Sequence, residues 1–193
     1  MILDRLSLSE KKLVNVIKAK KDNIIFYEND PCNSVFIVKK GEINIASITF
    51  EGNEIVYNTL KEGDMFGNNL LFSKDNRYRG NVIAKTDSEL IKINKENLIY
   101  ILQHNEQFLT EYLVINSEFT KSLNSKIKIL SFISAKERML YYLFINNGQI
   151  EFKSVLSLSN SLFLSREATS RLISQMVANK EIKRVGNKII KEG

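Results

Sequence analysis

A single cysteine, Cys32, and a single histidine, His104, occur in 193 residues. One thiol excludes a disulfide framework and any all-cysteine metal or iron–sulfur site within one chain. One imidazole argues against His-cluster metal catalysis and against most triad chemistry. No apolar run approaches the ~20 residues that cross a bilayer. The N-terminal segment carries Asp4, Arg5 and Glu10 where a signal peptide would be apolar. The expectation is a cytoplasmic, non-enzymatic protein without a membrane partner. Its length suffices for one large domain or two small ones, each with a core.

What is present is an uneven charge. The formal net charge is +6. Residues 135–193 hold 10 Lys/Arg against 5 Asp/Glu, whereas residues 1–134 hold 18 against 17. A neutral part followed by a basic part predicts a sensing or scaffolding region and a region that meets a polyanion. A solvated basic face is the alternative.

Ser7-Leu8-Ser9-Glu10 has the form of a capping box, and Leu13, Val14, Val16 and Ile17 follow it. Together they predict a short amphipathic helix over about 8–19. From Asn23 to Ile93 the texture is short β-rich runs at 24–27, 35–38, 42–45, 54–57, 82–84 and 90–93, with turn residues such as Glu51-Gly52-Asn53 between them. Many short strands without a βαβ rhythm indicate a sandwich, barrel or jelly roll. The sole proline, Pro31, falls in a turn, where its missing donor costs nothing. Cys32 beside it reads as an inert structural residue, with a redox-sensing thiol as the alternative.

After Asn94 the pattern turns helical, with a short helix over 95–103 and a long one over 107–130. On the long helix Leu109, Leu113, Asn116, Thr120, Leu123, Ile127 and Leu130 recur at steps of four and three. That is a heptad-like seam roughly 36 Å long. It predicts pairing of two copies with Asn116 fixing register; the alternative is a helix lying on its own β-domain. Ser134 and Glu137 form a second capping box, Asn146-Asn147-Gly148 ends the helix it opens, and residues 131–134 are the hinge.

Residues 154–162 then predict a helix with Leu158 and Leu162 inward and Ser159 small enough for a close helix crossing. Phe163-Leu164 makes the turn, and Ser165 is a good N-cap for a helix starting at Arg166. Its inner face is Thr169, Leu172, Ile173 and Met176; Arg166, Glu167, Ser170, Arg171 and Ser174 face outward. Residues 181–190 read as strand, Gly186-Asn187 turn and strand, completing a winged helix-turn-helix. The fold class is α+β: an antiparallel β jelly roll with flanking helices (1–106), a long dimerisation helix and hinge (107–133), and a winged helix-turn-helix (134–193).

A major groove admits one helix, whose N-terminal residues reach base edges. Arg166 and Arg171 can each pair bidentately with guanine, and Glu167 can accept from a cytosine amino group. Ser165, Lys183, Arg184 and Lys188 suit phosphate contacts, which position without specifying. The alternative for Glu167 and Arg171 is a surface ion pair at i, i+4 spacing.

The run Leu164-Ser165-Arg166-Glu167-Ala168-Thr169-Ser170-Arg171-Leu172 resembles the recognition helix of the CRP/FNR family of bacterial transcription regulators. Lys39-Lys40-Gly41-Glu42, the run Leu60-Lys61-Glu62-Gly63-Asp64-Met65-Phe66-Gly67 and Ala84-Lys85-Thr86 are similar to its cyclic-nucleotide-type jelly roll. The resemblance covers essentially the whole chain, in the family's order. It implies a homodimer on pseudo-palindromic double-stranded DNA with half-sites containing GTGA or TTGA, and RNA polymerase as a further partner. Arg166, Glu167 and Arg171 would read bases, joined by Ser170 as in the oxygen-responsive branch.

By the same resemblance an effector pocket would involve Phe66, Gly67, Asn68, Asn69, Leu70, Arg77, Tyr78, Arg79, Leu123 and Asn124. The chain departs from cyclic-nucleotide binders there. Asn68 stands where a ribose-binding glutamate follows the glycine, and Tyr78 stands at the phosphate-binding arginine, with Arg77 and Arg79 on either side. Leu123 and Asn124 match the adenine-facing pair only approximately. Cys32 alone does not supply the iron–sulfur branch, and His104 lies away from the roll's pocket, as a surface or structural histidine. No cofactor is assigned. The competing readings are an effector-free regulator whose pocket is filled by Phe66, Leu70, Leu71, Phe72 and Tyr78, and a nucleotide-binding regulatory subunit acting through a protein partner. A cupin-like enzyme would need a metal-binding cluster that one histidine does not provide. Phe163 occupies a turn position that usually holds Gly or Asn in a left-handed conformation, so an altered turn is expected.

Overall fold

Short alternating runs here find partners far away in sequence, and the result is an α+β fold. The computed structural model describes residues 2–52 and 54–192, so Asn53 of the expected turn lies outside the described residues. The chain divides into two compact units, Met1–Glu118 and Phe119–Gly193.

Among the described residues the first unit holds eight strands: β1 Asn15–Ala19, β2 Ile24–Phe26, β3 Ser34–Lys40, β4 Ile43–Ile48, β5 Glu54–Leu60, β6 Met65–Phe66, β7 Asn81–Ala84 and β8 Ser88–Asn94. They form two antiparallel sheets, β1-β8-β3-β6 and β2-β7-β4-β5. Helix α1, Lys95–His104, follows, and α2, Glu106–Ser131, begins in this unit. Strand β3 explains the unbroken apolar run at 35–38, because it is buried on both faces. Phe36 and Val38 enter the cluster between the sheets, with Ile43, Leu60, Phe66, Tyr78, Val82 and Leu90. Val35 and Ile37 enter a second cluster with Leu98, Ile101, Phe108 and Tyr112 of the two helices. At Gly41, with φ of 93°, an added Cβ would stand 2.8 Å from the Asp87 carbonyl oxygen, so the β3–β4 turn requires glycine.

The helix expected over 8–19 is not formed. The reciprocal bonds of a capping box are present: the Ser7 N–H donates to Glu10 at 2.8 Å and the Glu10 N–H donates to the Ser7 hydroxyl at 3.3 Å. They close only a 3-10 turn, Glu10–Leu13. Residues 15–19 instead pair with β8, from Asn15↔Lys92 to Ala19↔Ser88. Val16 and Ile17 are β-branched and sit as well on a pleated sheet as on a helix. The ladder offered by β8 decides between the two.

Glu10 is buried. Burial opposes its charge, but bonds from the Ser7 main chain, the Ser7 hydroxyl and the Asn105 amide outweigh that and hold its carboxyl below the usual range. Asn105 also caps α2 by accepting from the Phe108 N–H, so Glu10 anchors the N-terminal turns to the α1–α2 corner. A depressed carboxylate contributes stability that is complete above its unfolded pKa and is lost as pH falls through its native one. Glu10→Gln is therefore expected to destabilise the chain at about pH 7 and to show a smaller deficit at about pH 3. Urea midpoints of both proteins at the two pH values check this; an equal deficit at both would remove the charge from the account.

The second unit contains the last turns of α2, then α3 Ala135–Ile145, β9 Gln149–Glu151, α4 Val155–Leu162, α5 Arg166–Ala178, β10 Ile182–Val185 and β11 Lys188–Lys191. The strands form an antiparallel sheet in the order β10-β11-β9. One core joins Met139 and Leu143 of α3, Leu158 and Leu162 of α4, Leu172, Ile173 and Met176 of α5, and Ile150, Ile182 and Ile189 of the sheet. Ser134 and Glu137 make the expected reciprocal cap of α3.

Along α2 the seam positions Leu113 and Ile127 are 55% and 63% exposed, and Leu123 and Leu130 are exposed as well. The face that this chain itself buries is a different one, carrying Phe108 and Tyr112. Asn116 departs from a purely interchain role. Its Oδ1 accepts from Asn68 Nδ2 at 2.8 Å, and its Nδ2 donates to the Tyr112 carbonyl at 2.7 Å. Among the described residues no helix is long and apolar enough to cross a membrane.

Candidate nucleic-acid interface

The helix-turn-helix is built from local signals. Ser154 caps α4 by accepting from the Ser157 N–H, and the Ser157 hydroxyl accepts in turn from the Ser154 N–H. Leu158, Ser159 and Leu162 are buried on its inner face. The turn is not altered as its sequence suggests: Phe163 itself adopts the left-handed conformation, φ 53° and ψ 47°. That costs a residue with a Cβ roughly 1–2 kcal/mol. Three bonds offset it. The Leu164 N–H donates to the Ser159 carbonyl at 3.0 Å, and the Arg138 guanidinium donates to the carbonyls of Phe163 at 2.8 Å and Leu162 at 3.3 Å. Sequence reading missed Arg138, whose two acceptors at this turn are main-chain atoms more than twenty residues away.

Ser165 begins α5 by accepting from the Ala168 N–H at 3.1 Å. This cap sets the helix phase. Thr169, Leu172, Ile173 and Met176 are buried, while Arg166, Glu167, Ser170, Arg171 and Ser174 are all exposed. Among the described residues Glu167 and Arg171 form no ion pair, so the helix presents two guanidinium groups and a carboxylate within a turn and a half of its N-terminus.

The β10–β11 hairpin places Lys183 and Arg184 in solvent. Arg184 donates to the Gly186 carbonyl at 3.0 Å and sits 5.7 Å from the Phe152 ring centre. It lines a shallow groove with Ser174, Val177 and Gly186, between α5 and the wing turn. Lys188 is half-buried and lies 3.5 Å from Glu151, so part of its charge is already answered. Within this unit the exposed cations of α5 and the hairpin cations Arg184 and Lys183 thus stand on neighbouring elements.

In the roll, the region around Gly67 is crowded rather than open. Phe26 stacks on Tyr78 at 4.6 Å, Phe36 stacks on Phe66 at 5.0 Å, and Phe26 meets Phe36 at 5.1 Å. A Cβ at Gly67 would lie 2.7 Å from the Ser34 carbonyl oxygen and 3.1 Å from the Cys32 sulfur.

Residues 16–105 match the cyclic nucleotide-binding domain family. The chain is 24% identical over 165 residues to the anaerobic regulatory protein of Bacillus subtilis, covering 86% of this chain and 64% of that protein. It therefore spans less than two thirds of that relative's length. A second relative, the HTH-type transcriptional regulator ArcR of Staphylococcus epidermidis, is 29% identical over 175 residues, covering 81% and 72% of the two chains. Among solved structures, a CooA variant from Carboxydothermus hydrogenoformans aligns with TM-score 0.70 at 18% identity, covering 97% of this chain and 87% of that one. The chain is similar to regulators of the CRP/FNR type. Both of these relatives carry the names of regulators, the second of a transcriptional regulator.

Against the CRP/FNR pattern, the residues expected around an effector separate. Phe66, Gly67, Asn68 and Tyr78 are buried in the first unit, Leu70 is half-buried against the same cluster, and Asn69 is exposed. Asn68 is turned onto Asn116 of α2. Arg77 and Arg79 are exposed; Arg79 pairs with Asp75 at 2.7 Å, while Arg77 lies 3.7 Å from Asp75 and donates to the Asn29 carbonyl. Leu123 and Asn124 are exposed on the part of α2 that belongs to the second unit. The expected pocket fillers need two corrections. Leu71 belongs to the helix-facing cluster, and Phe72 is half-exposed with the Lys95 ammonium 5.4 Å from its ring. Their place is taken by Phe26 and Phe36, which pack into the cluster between the sheets from β2 and β3.

The redox alternative for Cys32 also falls. Its thiol is fully buried, burial pushes its pKa up, and it lies 3.4 Å from the Ser34 carbonyl. A protonated, inaccessible thiol neither attacks nor oxidises readily. The Tyr78 hydroxyl, buried without an oxygen or nitrogen partner, faces that thiol, and burial raises its pKa as well. His104 closes α1, with Nδ1 2.8 Å from the Tyr100 carbonyl oxygen and its ring stacked on Tyr100. Among the described residues no group of three or more His, Cys, Asp or Glu side chains is placed to hold a metal ion.

Proposed function

We propose that this chain is a sequence-specific DNA-binding transcription regulator, acting in the cytoplasm as a homodimer on a pseudo-palindromic operator and working through RNA polymerase. The observation that carries the reading is the outer face of α5. Arg166, Glu167, Ser170 and Arg171 project from the first turns of a capped helix whose other face is locked into the core. Donor-rich guanidinium groups and an acceptor carboxylate match the base-edge code of the major groove. Lys183, Arg184, Lys188 and Ser165 supply the sequence-independent phosphate contacts. The exposed stripe on α2 supports pairing of two copies, which would hold two reading helices for half-sites about one helical turn, ~34 Å, apart. In this division of labour residues 1–106 form the sensor roll, 107–133 the pairing helix and hinge, and 134–193 the DNA-reading part.

For control, the aromatic stack of Phe26, Phe36, Phe66 and Tyr78 favours a roll filled by its own side chains over one that holds a cyclic nucleotide. Asn68, bonded to Asn116, points the same way. Where a ribose would need a carboxylate acceptor stands an amide that is already donating to α2.

Selection of bound sequences from random duplex DNA tests the reading. It is expected to yield a two-fold symmetric site. Arg171→Ala is expected to weaken that site by about 1–3 kcal/mol while leaving affinity for random duplex nearly unchanged. Lys183→Ala should weaken all sequences alike and lower the salt slope by about 1. Recovery of no preferred sequence, or unchanged binding after Arg171→Ala, would sink the base-reading assignment.

A further inference from the structure

The side chain with the most unusual set of partners in the second unit is Arg138, on the first turn of α3. Its Nε donates to the Phe132 carbonyl at 2.9 Å, in the short break between α2 and α3. Its Nη1 donates to the carbonyls of Phe163 at 2.8 Å and Leu162 at 3.3 Å, at the turn between α4 and α5. Among the described residues it has no carboxylate partner. One planar fork therefore holds main-chain atoms of two separate junctions at once.

Both junctions need such a donor. Leu162 ends α4, where the last carbonyls of a helix have no intrahelical N–H and carry the negative end of its dipole. Phe163 is left-handed without being glycine, so its conformation persists only where neighbours over-determine it. Phe132 follows the last residue of α2, and its ring packs 5.5 Å from that of Tyr141 on α3. The Lys128 ammonium, on the last turn of α2, lies 4.8 Å from the same Tyr141 ring. A chain of contacts thus runs from the end of α2 through α3 to the residue two positions before the cap of α5.

We propose that Arg138 is the positioning residue that ties the C-terminal end of α2 to the α4–α5 turn, and so sets the direction in which α5 presents its reading face. Its consequence for DNA rests on the function proposed above; the link itself does not. Lysine cannot replace arginine here, because an ammonium is a point charge and lacks the rigid fork that reaches both junctions.

The test uses the full chain with Arg138→Lys, which keeps charge and stem, and Arg138→Gln, which keeps part of the planar donor set. Amide exchange without DNA is read at Phe132, bonded to the Ile129 carbonyl, and at Phe163 and Leu164, bonded to the carbonyls of Asn160 and Ser159. Both segments are expected to exchange about tenfold faster together in each variant, while Met139 and Leu143 in the core of α3 stay protected. Affinity for the duplex selected by the parent protein is expected to fall about tenfold, with random-duplex affinity held within about twofold. Loosening of one segment without the other, or of neither, overturns the link. Operator affinity within about twofold of the parent overturns its role in presenting α5. If the parent selects no DNA sequence, the DNA reading fails, and the paired exchange result still decides the link.

Discussion

Phe36→Ala is expected to remove about 3–5 kcal/mol from the stability of the roll. Phe36 is 1% exposed on β3, a strand paired on both sides, by β8 and β6. Its ring stands between Phe26 at 5.1 Å and Phe66 at 5.0 Å, and Phe26 in turn supports Tyr78. Truncation loses the ring's transfer free energy and leaves a void that a sheet pinned by its ladders cannot close. Against a total of about 5–15 kcal/mol for a domain, that is enough to populate the unfolded roll. Phe72→Ala, at a ring 50% exposed, is expected to cost under about 1 kcal/mol and serves as the control. Urea titration read by amide exchange in β3 and β8 isolates the roll from the second unit. The outcome also bears on function. A cost below about 1 kcal/mol would mean that the stack is loose, that the roll has room for an effector, and that the self-filled reading is wrong.

The roll was legible where burial leaves a local pattern. Strand β4 alternates at Ile43-Asn44-Ile45, where both isoleucines pack into the cluster between the sheets, and β3 shows an unbroken run because both its faces are covered. Residues 8–19 misled because each local signal was real. Ser7 and Glu10 do bond as a capping box, and Leu13, Val14, Val16 and Ile17 do fall at helical spacings. What settles the conformation is β8, far along the chain, and no local pattern encodes that pairing. Strands β6 and β9, of two and three residues, are too short to show any period.

The outward face of α5 was legible to the residue because Ser165 fixes where the helix begins, and the start fixes the phase of every later side chain. The region expected around an effector was not. Which of Phe66, Leu70, Leu71, Phe72 and Tyr78 points inward depends on a loop with no regular period, and Phe72 and Leu71 went elsewhere. Asn68 carried no sign that its amide would meet Asn116. Arg138 was invisible for a related reason. An arginine on a helix's first turn looks like any solvated cation until the carbonyls it reaches are in place.

Introducing Leu113→Glu together with Ile127→Glu is expected to lower operator affinity by about 10²–10⁴-fold, the gain that linking two half-site contacts confers. Both side chains are more than half exposed in the single chain, so neither unit depends on them for its own core. Surface substitutions of that kind change stability by only about 0.5 kcal/mol each. In a paired seam they act differently. Two copies would bring four carboxylates into positions that coiled coils fill with apolar side chains, and like charges there oppose association. Sedimentation should show the parent as a dimer and the variant as a monomer at the same concentration. Affinity for a duplex carrying one half-site should stay within about twofold, because α5 and the wing are untouched. That contrast separates loss of pairing from damage to the reading helix. A variant that still sediments as a dimer, or that keeps its operator affinity, would move the pairing surface off α2 and leave its exposed stripe without the role assigned to it.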